Sequence, residues 1–240
     1  KIFSEIVTRL AEKDPRIVAI TASMPSGTGL VEFQKKFPDR FFDVGIAEQH
    51  AIAFAGALSK GGRNPICAIY STFIQRAVDQ LIHDVALQEQ SIILAMDRAG
   101  VVGEDGPTHH GVFDMSFLRA IPGSVIASPK DTKEMSRMLE LGLEAKGVFA
   151  LRYPRGKVPQ EFPESSSHFE VGEGEILKEG EDLTILTSGA LVSNALKAAA
   201  KLEKEGISAG VYNMRFAKPI DKNLLQIAAS KKHPLITLED

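Results

Sequence analysis

The sequence predicts an α/β fold: a doubly wound parallel sheet followed by a partial second α/β unit. Three observations predict it. Short β-branched runs alternate with segments of helical period along most of the chain. The run from Ser91 to Met96 is apolar without alternation, as a strand covered on both faces requires. The chain also holds 20 glycines in 240 residues, which suits many strand-to-helix turns.

Each element follows from its own residues. Ile2, Phe3, Ile6, Val7 and Leu10 recur at helical spacing, so the chain opens with an amphipathic helix. Ile17 to Thr21 reads as a strand, Leu30 to Phe37 as a helix, and Arg40 to Val44 as a strand running into Gly45. From Ala47 to Leu58 nearly every residue is apolar, which predicts a helix buried on most sides and ended by Gly61-Gly62. Ile66 to Tyr70 is a strand. Ala77, Val78, Leu81, Ile82, Val85 and Ala86 mark one amphipathic helix. Ser124 to Ala127 is a further strand. Asp131 with Glu134 resembles a capping box ahead of the Met135, Met138, Leu139 helix. Val148 to Leu151 is the last strand of this unit, and strand-helix alternation predicts right-handed crossovers between parallel strands.

The first domain therefore spans 1–156. Residues 157–174, with two prolines, three serines and little apolar content, read as a linker. A second unit, 175–240, shows strands at Leu183 to Thr187, Gly210 to Met214 and Pro234 to Leu238, with helices at Leu191 to Glu205 and Lys222 to Ala229. It stops on a strand, so further elements are expected to cover it, and the chain reads as part of a larger protein. Its start at Lys1 rather than Met points the same way.

Composition narrows the function. Hydrophobic residues are 44% and charged ones 25%, an ordinary globular mixture. A net charge of −3 predicts no nucleic-acid partner. No apolar run approaches the roughly 20 residues of a membrane span, so no membrane partner is expected. The single Cys67 lies in an apolar run and forms no internal disulfide, which predicts a reducing compartment. The expected location is the cytoplasm of a bacterium, or a plastid if the source is eukaryotic.

Three segments carry the chemistry: Asp43 to Ala51, Tyr70 to Gln80 and Asp97 to Gly111. They place an acid at a helix start, an aromatic and an arginine just past a strand, and a Gly-rich polar loop past the next. In an open parallel sheet such positions gather at the carboxyl ends of the strands, where ligands bind. Glu48 lies in the first turn of its helix, where a carboxylate commonly complements the macrodipole. Held instead among Ile46, Ile52 and Phe54, it would suit proton traffic. Phe73 is either a core aromatic or a ring face at a strand end. Arg76 either pairs with Asp79 on the surface or reaches the crevice. Loops as long as Asp97 to Gly111 usually carry function. Its Asp105, His109 and His110 are a weak metal set, because adjacent histidines project apart and no His-x-x-x-His pair exists. Arg152-Tyr153-Pro154-Arg155-Gly156 ends the domain with arginines suited to carboxylate or phosphate. Glycine-rich phosphate loops and a Gly-x-Ser-x-Gly elbow are absent.

These segments, with Phe37 to Arg40 and Met214 to Asp221, resemble the 1-deoxy-D-xylulose-5-phosphate synthase family of transketolase-like enzymes. Glu-Gln-His-Ala at 48–51 is also similar to transketolases and to 2-oxo acid dehydrogenase beta subunits. Ser-Thr-Phe-x-Gln-Arg-Ala at 71–77 and Arg-Tyr-Pro-Arg-Gly at 152–156 favour the synthase. The resemblance implies a transferase that condenses pyruvate with glyceraldehyde 3-phosphate, with loss of carbon dioxide, in isoprenoid, thiamine and pyridoxol biosynthesis. It implies thiamine diphosphate, with Glu48 on N1′ of the aminopyrimidine, Phe73 stacked on that ring, and Tyr70 and Ser71 lining its pocket. Arg76 and Arg155 would hold the aldehyde's phosphate. Arg98, Asp105 and His109 would contact the reacting carbonyl and carboxylate groups, His109 as a catalytic residue.

The family's Gly-Asp-Gly motif with its following Asn, which binds Mg²⁺ and diphosphate, does not occur in these 240 residues. The resemblance places it on an N-terminal domain, so this chain alone is expected to be inactive. A homodimer is the family's usual state, and the apolar 47–58 helix would suit its interface. The alternatives are the beta-type half of a 2-oxo acid dehydrogenase or split transketolase, and a non-catalytic α/β domain.

Overall fold

The computed structural model describes residues 2–156, 158, 162 and 169–240. The other residues of the predicted linker lie outside the described residues. Two sheets form the framework. The first holds β1 (Ile17–Thr21), β2 (Phe41–Asp43), β3 (Asn64–Tyr70), β4 (Ile92–Asp97), β5 (Val125–Ala127), β6 (Val148–Tyr153) and, from the second unit, β10 (Phe216–Lys218). Its order is β10-β5-β6-β4-β3-β1-β2. Every pair is parallel except β10 on β5. The second sheet runs β11-β8-β9-β7, with β7 (Glu175–Lys178), β8 (Leu183–Thr187), β9 (Ala209–Asn213) and β11 (Leu235–Leu238). Here only β7 is antiparallel. The predicted doubly wound sheet is present, with one short antiparallel strand at an edge of each sheet.

Helices cover both faces of the first sheet. α1 (Ile2–Lys13), α2 (Val31–Lys36) and α7 (Thr132–Glu144) bury Phe3, Val7, Phe33, Met138 and Leu139 on one face. On the other, α3 (Glu48–Lys60), the helical stretch 71–86 and α6 (Asp114–Ala120) bury Ile52, Ala55, Ile74, Leu81 and Leu118. This sandwiching explains the unbroken burial along β1 and β6 and the absence of alternation in β4. In the second unit, α8 (Val192–Lys204) and α9 (Lys222–Ser230) pack on the smaller sheet.

Three expectations change. α3 buries one face only, through Glu48, Ala51, Ile52, Ala55 and Gly56, while Gln49, His50 and Ala57 are exposed. The stretch after β3 is not one regular helix. It divides into α4 (Ser71–Ile74), a 3₁₀ turn, α5 (Val78–Gln80) and a π-helical turn over Leu81–Ala86. Gly56 lets α3 lie against that wide turn, since a Cβ there would meet the Asp84 carbonyl at 2.8 Å. The capping box is half formed. Asp131 Oδ1 accepts from the Glu134 amide at 2.8 Å, but Glu134 reaches the Lys130 amide instead of that of Asp131.

The two units are joined by charge as well as by β10. Arg215 and Lys130, both fully buried, meet Glu134 of α7 and Glu175 of β7. Asn213 donates to both carboxylates, at 2.9 and 3.1 Å.

Candidate active site

Strand register gathers the candidate residues. Tyr70 pairs with Asp97, and Asp97 with Tyr153, so β3, β4 and β6 end level with one another. The chain leaves these ends into α4, the 98–113 loop and the Pro154-Arg155 turn. Phe73 and Arg76, then Arg98, Asp105 and His109, then Arg155 thus come from three neighbouring strands. Glu48 arrives from the next layer, at the first position of α3.

A continuous row of contacts results. The Glu48 side chain is 2% exposed, and Arg76 Nη1 lies 3.3 and 3.2 Å from its two oxygens. Arg76 therefore chooses Glu48, and Asp79 pairs with His83 instead. The expected enclosure of Glu48 by Ile46 does not occur, because Ile46 projects into solvent at 78% exposure. The Arg76 guanidinium stands 5.6 Å from the Phe73 ring centre, and Phe73 stacks on Tyr70 at 5.7 Å. His109 meets Phe73 edge-on at 5.3 Å, its Nδ1 2.9 Å from the Thr108 hydroxyl. Arg98 lies 3.8 Å from the Tyr70 ring centre, and burial raises the pKa of the Tyr70 phenol.

Arg98 is the hinge of the polar side. It donates to Asp105 Oδ2 at 3.0 Å and to the Gly27 carbonyl at 3.1 Å, and it pairs with Asp97 at 3.0 Å. Its φ of 60° lies in the left-handed region, which costs a non-glycine residue about 1–3 kcal/mol and persists where surrounding bonds impose it. Asp105 also accepts from Arg155 at 2.6 Å, so one carboxylate spans both arginines. Burial raises the pKa of Asp97 despite that neighbouring guanidinium.

Ser71 stands apart from the row. It is 1% exposed and donates to Asp114 Oδ2 at 3.0 Å, so its hydroxyl is engaged inside the fold instead of lining a pocket. His110 likewise serves the loop, accepting from the Val102 amide at 3.0 Å. Among the described residues no group of three histidine, cysteine, aspartate or glutamate side chains could hold a metal ion, and no helix is long and apolar enough to cross a membrane.

Sequence reasoning missed Gly27, Asp114 and the inward role of Arg152. At Gly27 a Cβ would lie 1.9 Å from the Tyr70 hydroxyl, so the turn after β1 closes over the site. Its signal was the Ser26-Gly27-Thr28-Gly29 run just past a strand.

The family models agree with this architecture. The transketolase pyrimidine-binding domain matches residues 1–161 and the transketolase C-terminal domain matches 172–240. The chain belongs to the transketolase family. Within it, the chain is 54% identical to 1-deoxy-D-xylulose-5-phosphate synthase of Aquifex aeolicus, over all of this chain and 38% of that protein. It is 53% identical to that of Desulfitobacterium hafniense and 50% identical to that of Gloeobacter violaceus, with the same shares covered. The chain thus spans 38% of the length of these relatives. Among solved structures, a split-gene transketolase, an inactive beta4 tetramer, superposes with a TM-score of 0.88 at 32% identity. That match covers all of this chain and 78% of the other. A transketolase from Campylobacter jejuni, at 24% identity and a TM-score of 0.86 over 99% of this chain and 38% of its own, shares the fold.

Proposed function

We propose that this chain is the pyrimidine-binding part of a 1-deoxy-D-xylulose-5-phosphate synthase. The reaction is the condensation of pyruvate with glyceraldehyde 3-phosphate, releasing carbon dioxide. The carrying observation is the buried Glu48 carboxylate at the end of an aromatic and arginine row, in a chain half identical to such synthases.

The residues fit thiamine diphosphate at its pyrimidine end. The Glu48 carboxylate, 2% exposed, can accept a hydrogen bond from N1′ of an aminopyrimidine, and Phe73, next to the Arg76 guanidinium that pairs with it, keeps a partly exposed ring. When bound, the cofactor supplies the electron sink for decarboxylation. Glu48 would hydrogen-bond N1′ of the bound cofactor, and Arg76 pairs with the carboxylate through one nitrogen while its other donors stay available to an anion. Arg98 and Arg155, oriented by Asp105, present guanidinium groups to carboxylate and phosphate. His109, against Phe73, moves or holds a proton near the reacting carbonyl.

The donors for Mg²⁺ and diphosphate are assigned to an N-terminal domain outside this chain. A homodimer is supported by the open face of α3 and the exposed Ile46. The site of action is a bacterial cytoplasm, or a plastid.

The test is acceptor choice by the full-length protein. With pyruvate and glyceraldehyde 3-phosphate, mass spectrometry should detect 1-deoxy-D-xylulose 5-phosphate. Transfer to lipoamide, or ketol transfer between sugar phosphates, would replace this reading with that of a dehydrogenase beta half or a split transketolase.

A further inference from the structure

Three segments carry the binding residues proposed above, and one buried cluster touches all three. Ser71 Oγ, at the start of α4, donates to Asp114 Oδ2 at 3.0 Å. Arg152 Nε of β6 donates to the same oxygen at 3.1 Å, and its Nη2 to Asp114 Oδ1 at 3.3 Å. The Met115 amide completes Oδ1 at 2.7 Å. Ser71 and Asp114 are each 1% exposed and Arg152 is 7% exposed. Gly111 seals the arrangement, since a Cβ there would lie 2.4 Å from Ser71 Oγ and 2.6 Å from the Arg98 carbonyl. Arg152 Nη2 also donates to the Asp240 carbonyl at 3.0 Å, while Asp240 Oδ1 accepts from the Val101 amide at 3.0 Å.

We propose that Ser71, Asp114 and Arg152 form a positioning device that holds α4, the 98–113 loop and the end of β6 in register for the anionic substrate. The inference rests on the function proposed above. A buried ion pair is a poor stabiliser, because desolvation offsets its attraction and apolar side chains of equal volume would pack as well. What it adds is direction. Arginine's planar fork accepts a carboxylate in one orientation, and a lysine cannot reproduce it. Asp114 sits at the foot of the loop that carries Arg98, Asp105 and His109. Ser71 lies two residues before Phe73 and five before Arg76, and Arg152 lies three before Arg155. A shift at the cluster therefore moves every group that would grip the substrate, and misplacement of about 1 Å can cost 10²-fold in rate.

The experiment uses the full-length protein carrying Arg152→Lys, Ser71→Ala, or both. Amide exchange of Gly100 and Gly111, which bond to each other, should quicken about tenfold in Arg152→Lys, while amides of β3 and β4 keep their wild-type rates. KM for glyceraldehyde 3-phosphate should rise about tenfold, with kcat changing less, as loss of substrate positioning predicts. The effects of the two substitutions on KM should be non-additive, because both act through Asp114. Wild-type loop exchange with wild-type KM in a folded Arg152→Lys overturns the proposal. If Arg152→Lys does not fold, Ser71→Ala decides: raised KM supports the device and wild-type KM overturns it. A wild-type protein that makes no product removes the function reading instead, and loop exchange still judges the cluster.

Discussion

Arg76 Nη1 sits 3.3 and 3.2 Å from the two oxygens of Glu48, so the buried acid of this site has its charge balanced before any ligand arrives. The pairing links the first turn of α3 to the strand-to-helix turn after β3, two positions 28 residues apart. It gives the carboxylate an orientation that burial alone does not impose. Replacing Glu48 by Ala in the complete enzyme should lower turnover by about 10²-fold or more, the scale of a lost proton-transfer partner. Glu48→Gln keeps the shape and should fall nearly as far. A near-normal rate in either variant would remove the role given to Glu48.

Arg76→Met separates two duties of the arginine. Its own side chain is 53% exposed but that of Glu48 is 2% exposed, so losing the arginine leaves a buried carboxylate without this partner, at about 1–3 kcal/mol. Thermal unfolding should fall by a few degrees, while KM for the aldehyde phosphate rises about tenfold, one charged hydrogen bond's worth. A large loss of thermal stability with unchanged KM would make Arg76 structural.

Phe73 touches Tyr70 in parallel and His109 by its edge. Such contacts are worth about 0.5–1.5 kcal/mol each beyond burial. Phe73→Ala should weaken thiamine diphosphate binding by roughly tenfold, read by calorimetry on the full-length protein, and Phe73→Leu by less. Equal affinity in both variants and wild type would mean that the ring faces no ligand.

Much of this was legible in the sequence, for reasons that differ by element. β1 and β8 have the bounds their apolar runs suggest, because a strand covered on both faces needs such a run. β10 was not legible. Phe216–Lys218 is three residues long and is held by pairing with β5, a contact no local pattern encodes. β7, four residues at an antiparallel edge, escaped for the same reason. Within the site, residue types pointed to Glu48, Phe73 and Arg155. Which groups pair did not follow from them: Arg76 took Glu48 over the nearer Asp79, and Ser71 turned inward to Asp114. Those choices depend on strand ends brought level by register, a tertiary fact.

Cys67 offers an independent check of the first domain's packing. It is fully buried in β3, and burial pushes its thiol up to about 12. Near pH 8 about one molecule in ten thousand would carry the thiolate, the form that reacts. Iodoacetamide should leave the native protein unlabelled for hours and label it promptly in urea. Rapid native labelling would show that β3 is open to solvent.

The charged junction between the two units makes the sharpest pH prediction. Lys130 Nζ lies 3.1 Å from Asp131, 3.2 Å from Glu134 and 3.1 Å from Glu175, while Arg215 holds Glu134 at 2.8 Å and Glu175 at 2.7 Å. Burial favours the neutral amine at Lys130, but Glu134 and Glu175, with Asp131, outweigh it and raise its pKa above the ordinary 10.5. A base raised on folding contributes stability that is complete below 10.5 and is lost as the pH climbs through the folded value. The acid limb is mixed. Burial raises the pKa of Glu134, whereas at Glu175 burial is outweighed by Arg215 and Lys130, which lower it. The alkaline limb is therefore the cleaner readout. Near pH 8, Lys130→Met should be destabilised by about 3–5 kcal/mol, because it leaves buried carboxylates short of a partner. As the pH rises above 10.5 the urea midpoint of the wild type should fall more steeply than that of Lys130→Met, the gap closing as the wild-type ammonium is lost. Parallel declines would mean that Lys130 carries no linked proton, leaving Arg215 to hold the junction.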